Sequence, residues 1–496
     1  MKRALSIVCL LLILSTLMVG CAKDAESVDG AADDSVTTAE DNSELYDANG
    51  YLKDSIPDEI DYGGELIRIM GWGSTEASYD FNTEGENNQI ASATFMRNEM
   101  VKTRMGVNLE FILDYQGDNA DRYNYVPTVE TNLMAGENYD LIACYSMNAA
   151  NFATDGYLID LNTQKGVLNM DKPWWSSNML EGSIINNKLY FASGSISTTS
   201  ILQTHVLAIN LELARNKGLD DPRELVEEGK WTMEELFTMC NKTYDDINTD
   251  IDGKDNGDAF GLAMFDSSAG DAFLASNGLQ YLSTDNTGKI VIAPSFKSEK
   301  IYDLAKTLID KFKTNDYIYE GGNVKNGKVF TGKRAIFSSG YFFTLLNMKQ
   351  DITFEYGYLP YPKADASQDE YYCSSGFPYS MWCIPQQSTD YERSAYIMEC
   401  MASEGYRRVQ PKVYDEIKYK VGSDLLNSKM FDIIIESKTY DLGRIYHNMF
   451  KWEESPVALF RTRMYKDDAL DWYSALSGKS AAMEGVITII NSGFGY

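Results

Sequence analysis

Aromatic rings and small polar groups stand directly after several stretches of this 496-residue sequence that are predicted to be β-strands. Flat rings stack on the CH faces of a ligand and hydroxyl or amide groups hydrogen-bond to its edges, so these residue types indicate non-covalent binding. Ligand-contacting groups collect at the carboxyl ends of strands in open α/β sheets. This rule selects Trp72 after one strand, Tyr145, Ser146 and Asn148 after another, and Tyr341 after a third.

Three further candidate ligand-binding residues lie outside these strand ends. Trp175 belongs to the adjacent pair Trp174-Trp175, and Gly376 and Phe377 lie in a later segment that precedes another predicted strand. The alternative for the tryptophan pair is packing within the core, and the same alternative holds for Trp72, since large rings often fill space at a strand end.

The residues required by common catalytic mechanisms are scarce. The sequence has only two histidines and contains no Gly-x-Ser-x-Gly turn, no His-Glu-x-x-His helix and no phosphate-binding loop. Paired carboxylates could hydrolyse a glycosidic bond, but 73 acidic residues make any such pair unremarkable. We therefore predict that the protein is not an enzyme, and we keep an extracellular carbohydrate-active enzyme of the glycoside hydrolase type as an alternative.

One acidic segment has the spacing of a calcium-binding loop. Asn248, Asp250 and Asp252 stand at positions 1, 3 and 5 of a loop like that of an EF-hand. The twelfth position holds Ala259 instead of the bidentate glutamate, and Asp258 could take over its role. A structural Ca²⁺ at these residues is one hypothesis, a solvated acidic turn is the favoured one, and no other cofactor is expected.

The elements that must position the candidate residues follow an α/β order in the first part of the chain. Residues 65–72 read as a strand, 92–105 as a helix that stops at Gly106, and 107–111 as an alternating strand. A second helix is predicted around 128–135 and a buried strand over 139–145. Strand, helix, strand, helix, strand is typical of an α/β lobe with a largely parallel sheet.

Local signals of the same kind continue through the second part of the chain. A hairpin over 183–192 is predicted to turn at Asn186-Asn187. Asn210 should cap a helix, and Thr232 with Glu235 forms a capping box. The further predicted elements are strands over 207–209, 334–338, 355–359 and 380–384 and helices near 298–312 and 390–403.

Cysteine usage does not indicate a disulfide framework. Apart from Cys9 and Cys21, five cysteines remain, an odd number without any Cys-x-x-Cys pair. We predict buried free thiols, with a Cys373–Cys383 bridge as the alternative.

The first 21 residues carry the three parts of a secretory signal. Lys2 and Arg3 precede an apolar run over 4–19, and the small Gly20 stands directly before Cys21. This end resembles a bacterial lipobox, with Met18 where that family usually has leucine. The resemblance implies that residues 1–20 are removed and that the Cys21 thiol carries lipid. The alternative, a transmembrane anchor, is disfavoured because the run is short of the roughly 20 residues that a span needs.

Composition limits the partners of the chain. Its formal charge is 44 − 73 = −29, which excludes tracking of a nucleic acid backbone and charge-driven binding to an anionic membrane. Residues 22–54 hold ten acidic side chains and two lysines, so we predict a disordered, lipidated linker over 21–60. About 440 residues remain, which suffices for two or three domains.

The order of several segments matches a known family. They are YDLIACYSMNAANFATDGYLIDL, INNKLYFASG, AINLELARNKGLDDP with KWTMEELF, VFTGKRAIFSSGYFF, YGYLPYPK and SSGFPYSMWCIPQQSTDYERSAYIMECM. The chain resembles the lipoprotein solute-binding proteins of bacterial carbohydrate-type ABC importers (family 1-like) between about residues 65 and 404. It departs at Ser193-Gly194, where the family has a proline, and in the tail after Gly405.

The resemblance implies the periplasmic-binding-protein type 2 fold, an α/β fold whose two lobes are joined by crossing segments around a ligand cleft. Lobe 1 would comprise 62–197 plus 373–440, and lobe 2 would comprise 198–372 plus 441–496. A lipid-anchored monomer on the extracytoplasmic face of the cell membrane would then capture a sugar or oligosaccharide and deliver it to an ABC permease. Tyr341 stands where the family often carries a stacking aromatic, some members bind Ca²⁺ before the pair Gly261-Leu262, and a peptide or other solute is the alternative ligand.

Overall fold

The computed structural model describes residues 45–47, 49–82, 84, 88–113, 122–245, 258–264, 268–314, 318–320, 323–421, 424–465 and 471–496. The chain divides into two units, 1–53 and 54–496. In the first unit the described residues form a turn that is closed by an antiparallel bridge between Tyr46 and Leu52. The second unit begins at Asp54, within the predicted linker of residues 21–60, and contains the helices and the sheets of the described chain.

The strands of the second unit are short, and most of their side chains are buried. They are β1 Glu65–Met70, β2 Val107–Ile112, β3 Leu141–Tyr145, β4 His205–Asn210, β5 Phe260–Met264, β6 Leu282–Thr284, β7 Ile290–Ile292, β8 Ile318–Glu320, β9 Ala335–Tyr341, β10 Tyr356–Leu359, β11 Cys373–Ser374, β12 Ser380–Cys383 and β13 Lys438–Thr439.

Helices connect these strands and form the C-terminal part of the chain. They are α1 Ser78–Phe81, α2 Gln89–Met105, α3 Arg122–Met134, α4 Ala149–Thr154, α5 Ser177–Ser183, α6 Thr199–Leu202, α7 Leu211–Asn216, α8 Pro222–Glu227, α9 Met233–Asn241, α10 Ala269–Ser276, α11 Glu299–Thr314, α12 Asn323–Thr331, α13 Phe342–Met348, α14 Tyr391–Glu404, α15 Gln410–Lys418, α16 Leu425–Glu436, α17 Leu442–Ile445, α18 Pro456–Tyr465 and α19 Trp472–Gly493. None in the described part is both long and apolar enough to cross a membrane.

The first sheet has the order β12-β3-β1-β2. β1 runs parallel to both β2 and β3, and β12 is antiparallel to β3 with Ser380 opposite Tyr145. The fully buried Ile67 and Ile69 lie in the centre of β1. The parallel part matches the predicted strand–helix rhythm, while β12 joins from far along the chain.

The second sheet has the order β10-β4-β9-β5-β8. β5 pairs in parallel with β8 and β9, whereas β4 pairs antiparallel with β9 and with β10. In this register His205 at the start of β4 stands opposite Tyr341 at the end of β9. The chain thus leaves the first sheet after β3, builds the second sheet and returns with β12, which is the α/β architecture expected of a two-lobe fold.

Helix ends follow the predicted capping chemistry. Asn210 Oδ1 accepts from Leu213 N at 2.8 Å and Thr232 Oγ1 accepts from Glu235 N at 3.4 Å, so both residues cap their helices and the Thr232 half of the predicted capping box is confirmed. Gly106 ends α2 with a φ of 62°, a left-handed conformation that glycine adopts without strain. α2 starts three residues earlier than predicted because the Asn88 side chain caps it through Ile90 N at 3.0 Å.

The predicted hairpin over 183–192 is correct at its turn and wrong in its strands. Asn186 and Asn187 have φ angles of 50° and 58°, as a two-residue hairpin turn requires, and a single bridge joins Ile185 to Lys188. The ladder stops there because the following residues bond elsewhere, with Ala192 bridged to Trp382.

The five remaining cysteines, all within the described residues, are buried and unbridged. This confirms the prediction of free thiols, and the alternative Cys373–Cys383 bridge does not form. Each thiol behaves as a small apolar side chain in the core.

A fully buried carboxylate fixes the crossing segment, which contains Ser197 and Thr199 and leads from the first sheet to the second. Asp80 accepts hydrogen bonds from Thr199 N at 2.9 Å, from Ser197 Oγ at 3.2 Å and from Ser380 Oγ at 2.6 Å, as well as from the Thr199 hydroxyl. Ser380 in turn accepts from Trp72 Nε1 at 2.9 Å. Burial raises the pKa of Asp80, and these hydrogen bonds offset part of that rise. One side chain thereby joins α1, the crossing segment and β12.

Replacement of Asp80 by alanine should therefore be severely destabilising. Each buried donor left without an acceptor costs about 1–3 kcal/mol, so we expect the free energy of unfolding to fall by about 3 kcal/mol or more in urea denaturation. Asp285→Ala is the matched control, because Asp285 accepts three hydrogen bonds in an exposed turn. A loss for Asp80→Ala no larger than that of the control would show that the crossing segment is held by other contacts.

Candidate functional site

A cleft with a volume of about 560 Å³ opens where the carboxyl ends of β3 and β9 approach each other. It is bounded by residues that follow strands of both sheets, by the returning segment before β12, and by the helices α12, α13 and α18. The residues that line this cleft are Glu76, Tyr145, Gln203, Ser268, Gly327, Lys328, Thr331, Tyr341, Phe343, Thr344, Asn347, Met348, Asp351, Phe377, Pro378 and Arg461.

Tyr145 is the residue of the first sheet that lines the cleft. It is the last residue of β3, and its largely buried ring meets Trp72 edge-on, with 5.0 Å between the ring centroids. Trp72 itself is completely buried, donates to Ser380 and is not among the lining residues. Trp72 therefore lies behind Tyr145 and supports it, which corresponds to the core alternative raised from the sequence.

Tyr341 is the residue of the second sheet that lines the same cleft. It is the last residue of β9, its hydroxyl lies 3.0 Å from Ser268 Oγ, and its ring centroid lies 4.5 Å from that of His205. These contacts fix the ring from its edge and from beneath. Two of the predicted aromatic residues thus meet at one cavity although they are nearly 200 residues apart in sequence.

Phe377 forms the floor of the cleft, whereas Gly376 lies against the Tyr341 ring and is not among the lining residues. Gly376 N donates to Gln203 O at 2.7 Å, so the outgoing and returning segments are joined directly under the cleft. A Cβ atom on Gly376 would stand 2.7 Å from Tyr341 Cε1, which means that only glycine lets the ring lie this close to the backbone. Phe377 lines the cleft and its ring stacks on that of His447, with centroids 5.5 Å apart.

Ser146 and Asn148 are placed below this floor and do not line the cleft. Ser146 Oγ donates to Phe377 O at 2.7 Å and so ties the floor to the end of β3. Asn148 is fully buried and accepts from Asn448 Nδ2 at 3.2 Å, which links it to the C-terminal tail. Both residues position the site from behind.

Trp175 lies away from the cleft. The indole groups of Trp174 and Trp175 are buried and donate to the two carboxylate oxygens of Glu399, at 3.1 Å and 3.0 Å. Burial raises the pKa of Glu399 to about 7, and the indole hydrogen bonds act against that rise. In this structure both tryptophans pack in the core, which is the alternative to ligand binding that the sequence left open.

The calcium hypothesis falls mainly outside the described residues. Asn248, Asp250 and Asp252 lie in that undescribed part of the chain, and only Asp258 is described, with its side chain 3.4 Å from the Tyr244 hydroxyl. The described residues contain no group of three or more side chains that could hold a metal ion.

Sequence reasoning missed several lining residues because their segments carry no recognisable pattern. Arg461 belongs to α18, in the tail that the resemblance did not cover, and Phe343 and Lys328 belong to helices whose cleft-facing side could not be read from the sequence. Ser268 follows the end of β5, so the strand-end rule could have found it.

A second and larger cavity of about 840 Å³ lies between α9, α11 and the segment 364–372. It contains none of the residues selected from the sequence and no strand end of either sheet. The 560 Å³ cleft is the better candidate site, because it joins both sheets and the segments that cross between them.

Solved structures with this fold are numerous, although sequence similarity is low. The Listeria monocytogenes ABC substrate-binding protein Lmo0181, solved in complex with cycloalternan, has a TM-score of 0.55 at 13% identity, over 86% of this chain and 99% of that chain. A Staphylococcus aureus extracellular solute-binding protein in complex with maltose has a TM-score of 0.58 at 12% identity, over 88% and 100%. UgpB from Mycobacterium tuberculosis, in complex with glycerophosphocholine, has a TM-score of 0.58 at 12% identity, over 86% and 99%.

These likenesses establish the fold: the chain has the two-lobe α/β architecture of ABC-importer solute-binding proteins, as the sequence resemblance implied. No protein-family model matches the chain. No curated protein matches its sequence.

The close approach at Gly376 gives a test of the cleft floor. We expect Gly376→Ala to lower the free energy of unfolding by about 1–3 kcal/mol in urea denaturation, since the added methyl group must displace the Tyr341 ring. Gly166→Ala serves as the control because no atom lies within 4 Å of its added Cβ. Equal stability of the two variants would mean that the Tyr341 ring does not rest on Gly376.

Proposed function

We propose that this protein is an extracytoplasmic solute-binding protein that captures a sugar or oligosaccharide in the cleft and passes it, unaltered, to an ABC permease. The observation that carries the proposal is the convergence of Tyr145, Tyr341 and Phe377 on one cavity, from two different sheets and from the segment between them. Rings of this kind offer stacking surfaces for the CH faces of a pyranose.

The polar lining of the cleft suits hydroxyl groups. Gln203, Ser268, Thr344 and Asn347 contribute amide and hydroxyl groups beside the rings. Mixed aromatic and amide or hydroxyl surfaces are what a sugar requires, because each pyranose presents apolar faces and a polar rim. The volume of about 560 Å³ lies within the range of small-molecule sites.

The arrangement also provides a physical basis for signalling occupancy. A ligand that contacts Tyr145 of one lobe and Tyr341 of the other gains all of its contacts only when the lobes are closed, so binding shifts the population toward the closed form. A permease can distinguish that form from the empty one. The solved proteins with this fold bind solutes in the same class of architecture, which supports the proposal.

Anchoring at the membrane is a separate part of the proposal. The signal at residues 1–20 and the thiol of Cys21 support a lipid-anchored protein on the extracytoplasmic face, with residues 21–53 as the tether to the globular unit. Stable anchoring takes two or more acyl chains, which a diacylglyceryl group supplies. Lobe boundaries of 62–197 plus 373–440 and 198–372 plus 441–496, and a monomeric state, are proposed on the same basis.

Tyr341→Ala should weaken sugar binding by roughly ten- to hundredfold, because the lost ring removes about 1.5–3 kcal/mol of apolar contact. Isothermal titration calorimetry with the tightest ligand from a panel of mono- to tetrasaccharides measures the effect, and recovery of that ligand intact excludes hydrolysis. Tyr341→Phe keeps the ring and should stay within about fivefold of the wild type.

Tyr419→Ala is the matched control for that experiment, since Tyr419 is 56% exposed and absent from the cleft lining. Its affinity should equal that of the wild type. Unchanged affinity of Tyr341→Ala, with a ligand that binds the wild type well, would remove the cleft from consideration.

Cys21→Ser should abolish lipid attachment, because the serine hydroxyl cannot replace the thiol that forms the thioether. We expect loss of metabolic labelling by an alkyne fatty acid and release of the protein from the membrane fraction. Cys9→Ser, in the same N-terminal segment, should retain both label and location. Label on the Cys21→Ser protein would contradict a lipid anchor at this residue.

A further inference from the structure

The cavity of about 840 Å³ is a groove between α9, α11 and the segment 364–372, hereafter the α9–α11 groove. Residues three and four positions apart share one face of a helix. The lining residues of both helices have this spacing, so each helix presents a polar stripe to the groove. The stripes consist of Glu234, Thr238 and Asn241 on α9 and of Lys300, Asp303, Thr307 and Lys311 on α11.

Hydrogen bonds hold the third wall, the segment 364–372, against the neighbouring elements. Gln368 Nε2 donates to Ser276 O at the end of α10, at 2.8 Å. Directly before the segment, Lys363 O accepts from Met233 N at the start of α9, at 2.9 Å. The fold itself therefore keeps the groove open, and most small-molecule sites are pre-formed in this way.

Several polar side chains of the groove have free hydrogen-bonding capacity. Within the described part of the chain, the side chains of Thr238, Asn241 and Thr307 make no hydrogen bond, and Asn277 Oδ1 accepts none. The Tyr372 hydroxyl also has no partner among the described residues. Together these groups offer one ligand both donors and acceptors of the amide and hydroxyl type.

The apolar side chains that line the groove are already largely covered. Met233, Phe237, Leu279 and Leu304 are only 5–6% exposed. An amphipathic protein helix would bury little further apolar surface here, although such a helix binds through apolar anchors. No residue of a β-strand is among the described lining residues, so an extended peptide finds no sheet edge to join. The groove therefore does not suit a peptide.

Tyr372 supplies a partly exposed aromatic ring. An added Cβ atom on Gly278 would lie 3.4 Å from Tyr372 Cε2 and 3.7 Å from Cδ2, so one edge of the ring packs against this glycine. Tyr372 is half-buried and lines the groove. A ring that is held at one edge and surrounded by amide and hydroxyl groups suits a pyranose, which has an apolar face and a polar rim.

Charged residues of both signs line the groove and favour a neutral ligand. Four of the five are exposed, and exposed charges are screened by salt over a Debye length of about 8 Å. A ligand of either charge would meet repulsion as well as attraction. The five residues are Glu234, Lys300, Asp303, Lys311 and Asp365.

We propose that the α9–α11 groove is a second saccharide site, which holds a neutral oligosaccharide by stacking on Tyr372 and by hydrogen bonds to Asn241 and Asn277. The groove and the cleft share no lining residue. The lining residues lie between 233 and 372, within the proposed lobe 2, so occupancy of the groove requires no closure of the lobes.

The second site lies near the first. Tyr372 is five residues from Phe377, which places their Cα atoms at most about 18 Å apart. A saccharide held in the groove is therefore kept close to the cleft, and this raises its effective concentration there.

Tyr372→Ala tests the groove in a protein whose cleft is already weakened by Tyr341→Ala. Ligand-detected NMR titration, which suits weak binding, measures the affinities of maltotetraose, cellotetraose, xylotetraose and mannotetraose. We expect at least one of them to bind the Tyr341→Ala protein and to bind the double variant at least about tenfold more weakly, because the lost ring removes apolar contact. Tyr372→Phe in the same background keeps the ring and should stay within about fivefold.

Tyr302→Ala in the Tyr341→Ala background is the matched control. Tyr302 is a half-buried residue of α11, but its ring stacks on that of Tyr473, with centroids 5.7 Å apart, and it does not line the groove. The affinity of this protein should equal that of Tyr341→Ala. A loss as large as that caused by Tyr372→Ala would overturn the assignment of Tyr372 as a ligand contact.

The other outcomes separate the groove from the cleft. Equal binding by Tyr341→Ala and by the double variant, or no tetrasaccharide binding to Tyr341→Ala, would overturn the second site. In that case capture in the cleft stands if the wild type binds a saccharide that Tyr341→Ala binds more weakly, and both proposals fall if the wild type binds none. Loss of sugar uptake by cells that carry Tyr372→Ala, without saccharide in the groove, would assign the groove to a protein partner and overturn the saccharide class.

Discussion

The hydrogen-bonded burial of Asp80 is the constraint on which the rest of the site depends. A carboxylate without water contact persists only when its acceptor positions are filled, and here hydroxyl and amide groups from the crossing segment and from β12 fill them. Those same groups mark where the chain leaves the first sheet and where it returns. The geometry at this point therefore fixes the position of β4, β12 and everything that follows them.

The positions of the rings that line the cleft depend on the hydrogen bonds of Asp80. Asp80 holds the Ser380 hydroxyl, Ser380 accepts from Trp72, and the Tyr145 ring at the end of β3 packs edge-on against Trp72. On the other side, the bond from Gly376 N to Gln203 O joins the two crossing segments directly below Tyr341. Rings supported in this way lose little rotational freedom on binding, which lowers the entropic cost of capturing a ligand.

Much of the architecture could be predicted from the sequence, because it depends on local rules. The strands at Glu65 and Leu141 follow from runs of apolar side chains, and the caps at Asn210 and Thr232 follow from side-chain oxygens that accept backbone N–H groups. The turn at Asn186 follows from the positive φ angles that asparagine tolerates. Tyr145 and Tyr341 could be selected because both end a buried strand. Trp175 is not selected by this rule and lies away from the cleft, and nothing in the sequence shows that Glu399, more than 200 residues away, accepts both indole N–H groups.

Arg461 shows more clearly what could not be predicted from the sequence. Its orientation at the cleft depends on Asp271, 190 residues earlier, and on the edge-on geometry of their contact, neither of which leaves a trace in composition or periodicity. The net charge of −29 is a property of the whole chain and does not describe the cleft either. That charge is spread over a solvated surface and screened by salt, so it governs solubility. The surroundings that a ligand meets are set by the few side chains that line the cleft, and long-range contacts such as that between Arg461 and Asp271 decide how those side chains are held.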